Sequence, residues 1–290
     1  MIGAVEAETV ADALAWAQRR PCASSPSARA DALLLLAHAL QRPPEWIVTR
    51  PESRLSAEQR ANLMSLSERR LSGEPIAYIV GSAGFYGREF AVDHNVLVPR
   101  PETEHLIDEA LEFVKAQDYS DGRPLRVLDV GTGCGAIACT MAAETGAIVD
   151  GTDVSMEALE VASRNAGRLG VSDRCRFYHG DVLDPVRDRR YSVVIANLPY
   201  VPTADLPRLP SPVSFEPRVA LDGGRDGLTV YRRLIAGLPP LLESPGLVLC
   251  EAAPPNIDSL ADLVGSGLRA RFAEVKSDYG NLRRYVTALI

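Results

Sequence analysis

Four stretches of this chain place polar or glycine residues directly after an apolar run, where the end of a strand could present them to a ligand. The first is Val127-Leu128-Asp129-Val130-Gly131-Thr132-Gly133-Cys134-Gly135, followed by small helix-forming residues from Ala136 to Ala143. The second runs from Ala147 to Asp153 and ends on an acid. The third is Arg176-Phe177-Tyr178-His179, then Gly180-Asp181-Val182. The fourth, Tyr191 to Ala196, leads into Asn197-Leu198-Pro199-Tyr200.

The glycines of the first stretch let backbone N–H groups approach a ligand with no Cβ in the way, at the positive end of a helix. The pattern is G-x-G-x-G with no lysine nearby, which argues against the G-x-x-x-x-G-K-[ST] loop that binds nucleotide triphosphates. A dinucleotide fold asks for G-x-G-x-x-G, a pattern that sometimes allows an alanine where Ala136 stands. Either a dinucleotide or S-adenosylmethionine wants an acid at the end of the next strand to hold a ribose, and Asp153 lies about 20 residues on. On these residues alone NAD and S-adenosylmethionine both stay open, with the second favoured. A nucleoside would put its amino-acid portion at Gly131–Gly135, its ribose at Asp153 and its adenine amine at Asp181.

Asn197-Leu198-Pro199-Tyr200 then stands where a transferable methyl group would point. The Asn197 side-chain carbonyl and the Leu198 backbone carbonyl can both accept from one planar NH₂ group. Pro199 biases Leu198 toward an extended conformation and so fixes that carbonyl. Tyr200 can stack on a flat amide or base. The arrangement suits methylation of an amide, aniline or nucleobase nitrogen, all poor nucleophiles for which alignment with an activated methyl is the main lever.

The remaining features bound the class of protein. Of 290 residues, 46% are hydrophobic and 24% charged, as in an ordinary globular chain. No apolar run reaches 18 residues, so no membrane span is expected. The first residues, Met1 to Glu8, lack a basic-then-apolar pattern, so no signal or transit peptide is expected. Five cysteines (22, 134, 139, 175 and 250) form no C-x-x-C pair and read as reduced thiols in a cytoplasm. Four scattered histidines give no metal-ligand spacing, so no metal is assigned. Net charge is −7, and up to residue 85 nine basic residues balance nine acidic ones. No basic footprint for nucleic acid is evident.

Stepping along the chain, apolar spacing predicts helices over 5–20 (Val5, Val10, Leu14, Ala17) and 28–40. A short helix follows Pro43-Pro44, and another runs from the Ser56 N-cap to Gly73. His38 and Trp46 are expected in the core of this bundle. Gly84 to Val92 reads as a hairpin, and Pro99 and Pro101 precede a helix with Leu106, Ile107, Ala110, Leu111 and Val114 on one face. Tyr119-Ser120-Asp121-Gly122 is read as a loop into the central strand. After Asp153 a helix capped by Ser155 ends at Gly170. The proline-rich stretch 202–217 is expected to be irregular, 227–243 mostly helical, Gly246 to Glu251 a fifth strand, and 268–276 with 284–290 a closing hairpin. Strands alternating with helices imply an α/β fold, a doubly wound and mostly parallel sheet with helices on both faces. Ahead of it come a small all-α N-terminal domain (1–73) and a β-hairpin linker (74–98), leaving 99–290 for the cofactor domain.

At these residues the chain resembles the HemK/PrmC family, the protein-(glutamine) amide N-methyltransferases that act on peptide release factors. The resemblance covers nearly the whole chain. It is carried by Asp31 to His38, Leu55 to Arg60, Gly73-Glu74-Pro75-Ile76-Ala77-Tyr78, Val98-Pro99-Arg100-Pro101-Glu102-Thr103-Glu104 and Glu216-Pro217-Arg218-Val219-Ala220-Leu221-Asp222-Gly223-Gly224-Arg225-Asp226-Gly227-Leu228. It implies the class I S-adenosylmethionine-dependent methyltransferase fold. It implies S-adenosyl-L-methionine at Gly131, Thr132, Gly133, Cys134, Gly135, Asp153, Asp181, Val182 and Asn197. It further implies a glutamine amide at Asn197, Leu198, Pro199 and Tyr200, with Asn197, Pro199 and Tyr200 as the catalytic set. The glutamine belongs to the G-G-Q tip of a peptide chain release factor, which the N-terminal bundle helps to dock, and the enzyme is expected to be a cytoplasmic monomer. Two positions depart from the family pattern. Leu198 replaces the first proline of N-P-P-Y, giving a form found in ribosomal-RNA adenine dimethyltransferases, so a nucleobase or small-molecule amide is the alternative acceptor. Glu251-Ala252-Ala253-Pro254-Pro255-Asn256 replaces E-I-G-x-x-Q, and its two prolines are expected to reshape that loop.

Overall fold

A computed structural model describes residues 8–20, 25, 27–117 and 124–290. The expectations for Val5, Cys22 and the Tyr119–Gly122 loop lie outside the described residues. The chain forms two compact units: one holds the residues up to Ser82 with Leu209–Phe215, the other Ala83–Arg208 with Glu216–Ile290.

The first unit is helical. α1 (Val10–Gln18) opens with a capping box in which Thr9 and Asp12 each take the other's backbone N–H. α2 (Ala28–Leu40) is capped by Ser27 and ends at Gln41 in the left-handed conformation. α3 (Pro44–Thr49) has proline in its first turn, where the missing N–H costs nothing. α4 (Ala57–Leu71) starts with a second capping box, Ser56 with Gln59. α5 (Ile76–Val80) follows. Their inward faces close on Val10, Ala13, Leu36, Ile47 and Leu63. Trp46 is half-buried against this core, with the guanidinium groups of Arg42 and Arg50 5.6 and 5.8 Å from its ring. His38 corrects the expectation. It is exposed, because it shares the outward stripe of α2 with Leu34, four residues earlier, while Leu35, Leu36, Ala39 and Leu40 face inward.

The second unit begins with a hairpin, β1 (Ser82–Phe85) and β2 (Arg88–Ala91), whose turn residues Tyr86 and Gly87 both have positive φ. Its main sheet contains β3 (Arg126–Val130), β4 (Ile148–Asp153), β5 (Cys175–His179), β6 (Tyr191–Ala196), β7 (Leu242–Glu251), β8 (Phe272–Ser277) and β9 (Arg283–Leu289). The order is β5-β4-β3-β6-β7-β9-β8, parallel from β5 to β7, with β9 antiparallel to both its neighbours. The connecting helices are α6 (Glu104–Ala116), α7 (Ala136–Thr145) and α8 (Met156–Arg168), then α10 (Thr229–Gly237) and α11 (Ile257–Leu268). Leu128, Val130, Val194, Ala196, Val248 and Cys250 bury one face under α10 and α11. Asp129 on the other face meets α7 through the Ala138 N–H.

The order of strands reverses beside β3. The chain moves outward to β4 and β5, then returns to β6 on the opposite side. Open α/β sheets hold ligands in the crevice at such a switch point, beyond the strands' carboxyl ends.

Three boundaries differ from expectation. The 202–217 stretch contains helical turns at Leu206–Arg208 and α9 (Ser211–Ser214), because Pro207 and Pro212 lock φ at helical values and occupy first-turn positions. β7 starts at Leu242, where the helix-breaking pair Pro239-Pro240 ends in a single 3₁₀ turn. Residues 257–268 form α11, whose Ile257, Leu260, Val264 and Leu268 face the core, so the closing hairpin begins only at Phe272.

Candidate active site

A cavity of about 660 Å³ opens at the switch point. That is within the range of roughly 300–1,000 Å³ usual for small-molecule sites. Its walls include Gly131, Thr132, Gly133, Cys134, Asp153, Asp181, Val182, Asn197, Leu198 and Pro199. Gly135 and Tyr200, expected with them, do not line it. Gly135 is the N-cap of α7 and lies against Ala162 of α8.

The glycine loop is held from below. The N–H groups of Gly131 and Thr132 both donate to the Thr152 carbonyl at 2.9 Å. Gly131 has φ +73, and a Cβ there would stand 2.9 Å from a Leu198 methyl group. Asp129, fully buried, accepts from the Thr132 hydroxyl at 2.6 Å and the Ala138 N–H at 3.1 Å. Its other oxygen has no partner among the described residues. Burial therefore pushes its pKa up to about 7, against the pull of those two hydrogen bonds. The Cys134 thiol is likewise pushed up to about 12 by burial, so it is no nucleophile.

Asp153 closes the loop on its ligand side. It accepts from the Gly133 N–H and the Ser155 N–H, both at 2.9 Å. Burial raises its pKa despite those bonds. The Val182 carbonyl accepts from Thr152 Oγ1 at 2.8 Å, and Val182 has φ +50. A β-branched residue in that region is strained, a condition that surrounding structure must impose. Asp181 pairs through Oδ2 with Arg233 of α10, a cavity-wall residue that the sequence did not single out.

These residues fit S-adenosylmethionine. Gly133 has φ +54, a left-handed conformation that favours glycine, and no protein atom lies within 4 Å of where its Cβ would stand, so its backbone borders open space. The acid that could take a ribose diol and the strained Val182 sit along one wall, with apolar Val96, Leu97, Ile137 and Ala158 around them.

Asn197, at the end of β6, is oriented by residues far away in sequence. Its Nδ2 donates to Thr103 Oγ1 at 3.0 Å, and the Thr103 hydroxyl donates to Glu251 Oε2 at 2.7 Å. Thr103 and Glu251 are buried. Burial pushes Glu251 up to about 7, while the hydrogen bonds from Thr103 and Asn197 and the charge of Arg284 oppose it. Thr103 is placed by the turn Pro101–Thr103, and the preceding Arg100 is clamped to buried Glu216 at 2.6 and 2.8 Å.

Leu198 donates its N–H to the Tyr231 hydroxyl at 3.1 Å, and that hydroxyl in turn sits on the carbonyls of Glu251 and Ala196. One buried phenol thus ties together the ends of β6 and β7. The Leu198 side chain is buried beneath Gly131 and is not free in the acceptor space. Among the described residues no donor is bonded to the Leu198 carbonyl or to Asn197 Oδ1. The Tyr200 ring is half-buried against the core, and its carbonyl accepts from Asn256 Nδ2 at 2.8 Å. Cβ atoms on Gly223 or Gly227 would strike the Pro199 or Tyr200 carbonyl, which is why the Asp222–Gly227 loop is so rich in glycine. Pro254-Pro255 form a single 3₁₀ turn that leads into α11 and leaves Asn256 facing Tyr200.

Sequence reasoning missed Thr103, Tyr231, Arg233, Glu251 and Asn256 as parts of the site. Glu251 carried a signal, an acid closing the apolar run Leu247–Cys250 at a strand's carboxyl end like Asp153. Thr103 and Asn256 lay within stretches that carried or departed from the family resemblance, but without a role, and Tyr231 and Arg233 gave no signal, since only the fold brings them to Leu198 and Asp181.

Comparison with known proteins agrees with this geometry. Residues 12–81 match the PrmC N-terminal domain and residues 109–206 the methyltransferase small domain. The release factor glutamine methyltransferase of Moorella thermoacetica is 37% identical over 95% of this chain and 96% of its own. That of Bacillus subtilis is 34% identical over 98% of both. Among solved structures, the hMettl16 catalytic domain superimposes with a TM-score of 0.56 at 14% identity, covering 88% of this chain and 91% of that one, a likeness of fold. With its helical N-terminal unit, its parallel sheet and relatives matched over almost their full length, the chain belongs to the release factor glutamine methyltransferases.

Proposed function

We propose that this chain transfers a methyl group from S-adenosylmethionine to the side-chain amide nitrogen of the glutamine in the G-G-Q motif of peptide chain release factors. When bound, the cofactor supplies an electrophilic methyl group on a sulfonium sulfur. Gly131, Thr132, Gly133 and Cys134 hold its amino-acid portion, and Gly135 shapes the loop from behind. Asp153 takes the ribose hydroxyls. Asp181 and Val182 take the adenine, Arg233 occupying Asp181 Oδ2 and leaving Oδ1 for the amine.

The observation that carries the acceptor assignment is the bond from Asn197 Nδ2 to Thr103. With its NH₂ engaged there, the Asn197 oxygen points the other way. Together with the open Leu198 carbonyl it offers two acceptors, which match the two N–H groups of a primary amide. Fixing both hydrogens fixes the amide plane, and the nitrogen lone pair then faces along one direction. Such positioning is a large share of catalysis for a weak nucleophile. Pro199 keeps the Leu198 carbonyl in place, and Tyr200 buttresses the motif from the core side. The extra proton leaves after transfer, so no strong base need touch the nitrogen.

The helical unit docks the release factor, and the enzyme acts as a cytoplasmic monomer. No described helix is long and apolar enough to cross a membrane. The net charge of −7 supports a protein acceptor over RNA. Incubation with labelled S-adenosylmethionine and the host's release factors tests the proposal. Mass spectrometry should find one methyl group on the G-G-Q glutamine, and label on RNA or a small amide with none on protein would overturn it.

A further inference from the structure

An asparagine amide is nearly symmetric in shape, and only one of its two orientations presents an acceptor to the incoming NH₂. We propose that Thr103 and Glu251 are positioning residues that hold the Asn197 oxygen toward the acceptor, and that they do so only while Glu251 is a carboxylate. The proposal rests on the reading of Asn197 given above.

The donors and acceptors leave one consistent arrangement. A carboxylate only accepts. The single hydrogen of the Thr103 hydroxyl therefore goes to Glu251 Oε2, at 2.7 Å. The Thr103 oxygen is left as an acceptor, and the group 3.0 Å away must donate, which selects Asn197 Nδ2. Through Thr103 the Asn197 NH₂ is turned toward this carboxylate, whose charged form the Asn197 amide favours. A donor drawn toward a buried negative charge polarises the amide and strengthens its oxygen as an acceptor.

Protonation reverses the chain. A Glu251 carboxylic acid can donate to Thr103 Oγ1, releasing the Thr103 hydrogen toward Asn197. Only Oδ1 can accept it, so the amide turns over and its NH₂ faces the acceptor's NH₂. Two donors then meet and the acceptor is refused.

The surroundings put this reversal in an accessible range. Burial and the nearby Glu102 favour the acid, Arg284 favours the carboxylate, and the Tyr200 and Tyr231 hydroxyls lie close by. The balance holds Glu251 at about 7. The sign follows directly: above about 7 the carboxylate dominates and the acceptor binds, and activity declines as pH falls through that value.

The test compares four variants with the parent, using release factor as acceptor. Thr103→Ser keeps the hydroxyl and should retain turnover within about 3-fold. Thr103→Val removes it at equal volume and should lower kcat about 100-fold, the order expected when a reacting group is misplaced. Glu251→Gln cannot titrate, so whichever end of its amide faces Thr103 it should lose the acid limb of kcat/KM near pH 7. Affinity for S-adenosylhomocysteine, measured by calorimetry, should change less than about 3-fold in all three. Asn197→Ala separates the two claims. If it retains parental turnover, the reading of Asn197 fails. If it is inactive while Thr103→Val or Glu251→Gln keeps the parental rate and pH profile, this inference alone fails. Should Glu251→Gln not fold, the contrast between serine and valine at position 103 and the parent's acid limb decide the matter. Equal activity of those two, or a flat parental profile through pH 7, overturns the proposal.

Discussion

Tyr231→Phe removes one oxygen from a fully buried side chain and should disturb both the stability and the chemistry of the protein. The hydroxyl accepts from the Leu198 N–H at 3.1 Å and lies on the Glu251 and Ala196 carbonyls. Without it, the Leu198 N–H and the Glu251 carbonyl both lose a partner in a site that is closed to water. Leaving a buried polar group unsatisfied costs roughly 1–3 kcal/mol, so the loss of two partners should total about 2–6 kcal/mol. For a domain of this size that corresponds to a fall in Tm of roughly 4–24 °C. The phenol also fixes the peptide that carries the Leu198 carbonyl, one of the two oxygens expected to pin the acceptor. A drop in kcat of about 10-fold or more should accompany the thermal shift, with cofactor affinity nearly unchanged because the glycine loop hangs from Thr152 instead. Differential scanning calorimetry and single-turnover methylation of a release factor measure the two effects. A Tm within about 1 °C of the parent would show that the hydroxyl carries no such load. An unchanged kcat would show that the Leu198 carbonyl does not position the acceptor.

Asp153→Ala should weaken S-adenosylmethionine binding by a factor of about 10–100, because it removes the ribose acceptor and frees the Gly133 N–H; calorimetry reads this, and an unchanged Kd would refute the ribose assignment. Gly131→Ala should destabilise the protein by about 1–3 kcal/mol, since the position has φ +73 and the new methyl would meet Leu198 at 2.9 Å; denaturant unfolding checks it, and parental stability would refute the close packing. Asp129→Asn keeps an oxygen for Thr132 and Ala138 and removes a titration. In the parent the folded pKa of about 7 lies above the ordinary 3.8, so the unfolded chain gives up this proton first and stability falls as pH rises from about 4 to 7. The variant should gain up to about 4 kcal/mol on the parent across that window, and parallel stability curves would contradict the burial argument.

Most of the fold was legible because its signals are local. Ser56 and Ser155, read as N-caps, cap α4 and α8 in the structure. β6 is buried at every position, and its run of apolar residues marked it from Tyr191 to Ala196 without error. Errors fell where two local signals competed. In 254–270 the prolines and glycines hid the 3.6-residue spacing of Ile257, Leu260, Val264 and Leu268. His38 was misread because α2 is apolar on nearly all sides, so its sequence does not say which stripe faces out.

The site divides along the same line. The glycine loop, Asp153, Asp181 and Asn197 were readable because each follows its own strand, and parallel strands must deliver their carboxyl ends to one edge. What was not readable is everything that decides how Asn197 is used. Thr103 precedes it by 94 residues, and Glu251 follows Thr103 by 148. A threonine after two prolines reads as the start of α6, and the acid that ends β7 marks a strand's carboxyl end without naming its partner. Their meaning appears only when β7 is laid beside β6 and the Pro101–Thr103 turn is brought over both. The same holds for Leu198, which in sequence resembles a loosened version of a stiffer motif. In the fold its side chain is packed beneath Gly131 and its N–H is held by Tyr231, so the protein supplies by burial and hydrogen bonding the rigidity that a proline ring would have supplied covalently.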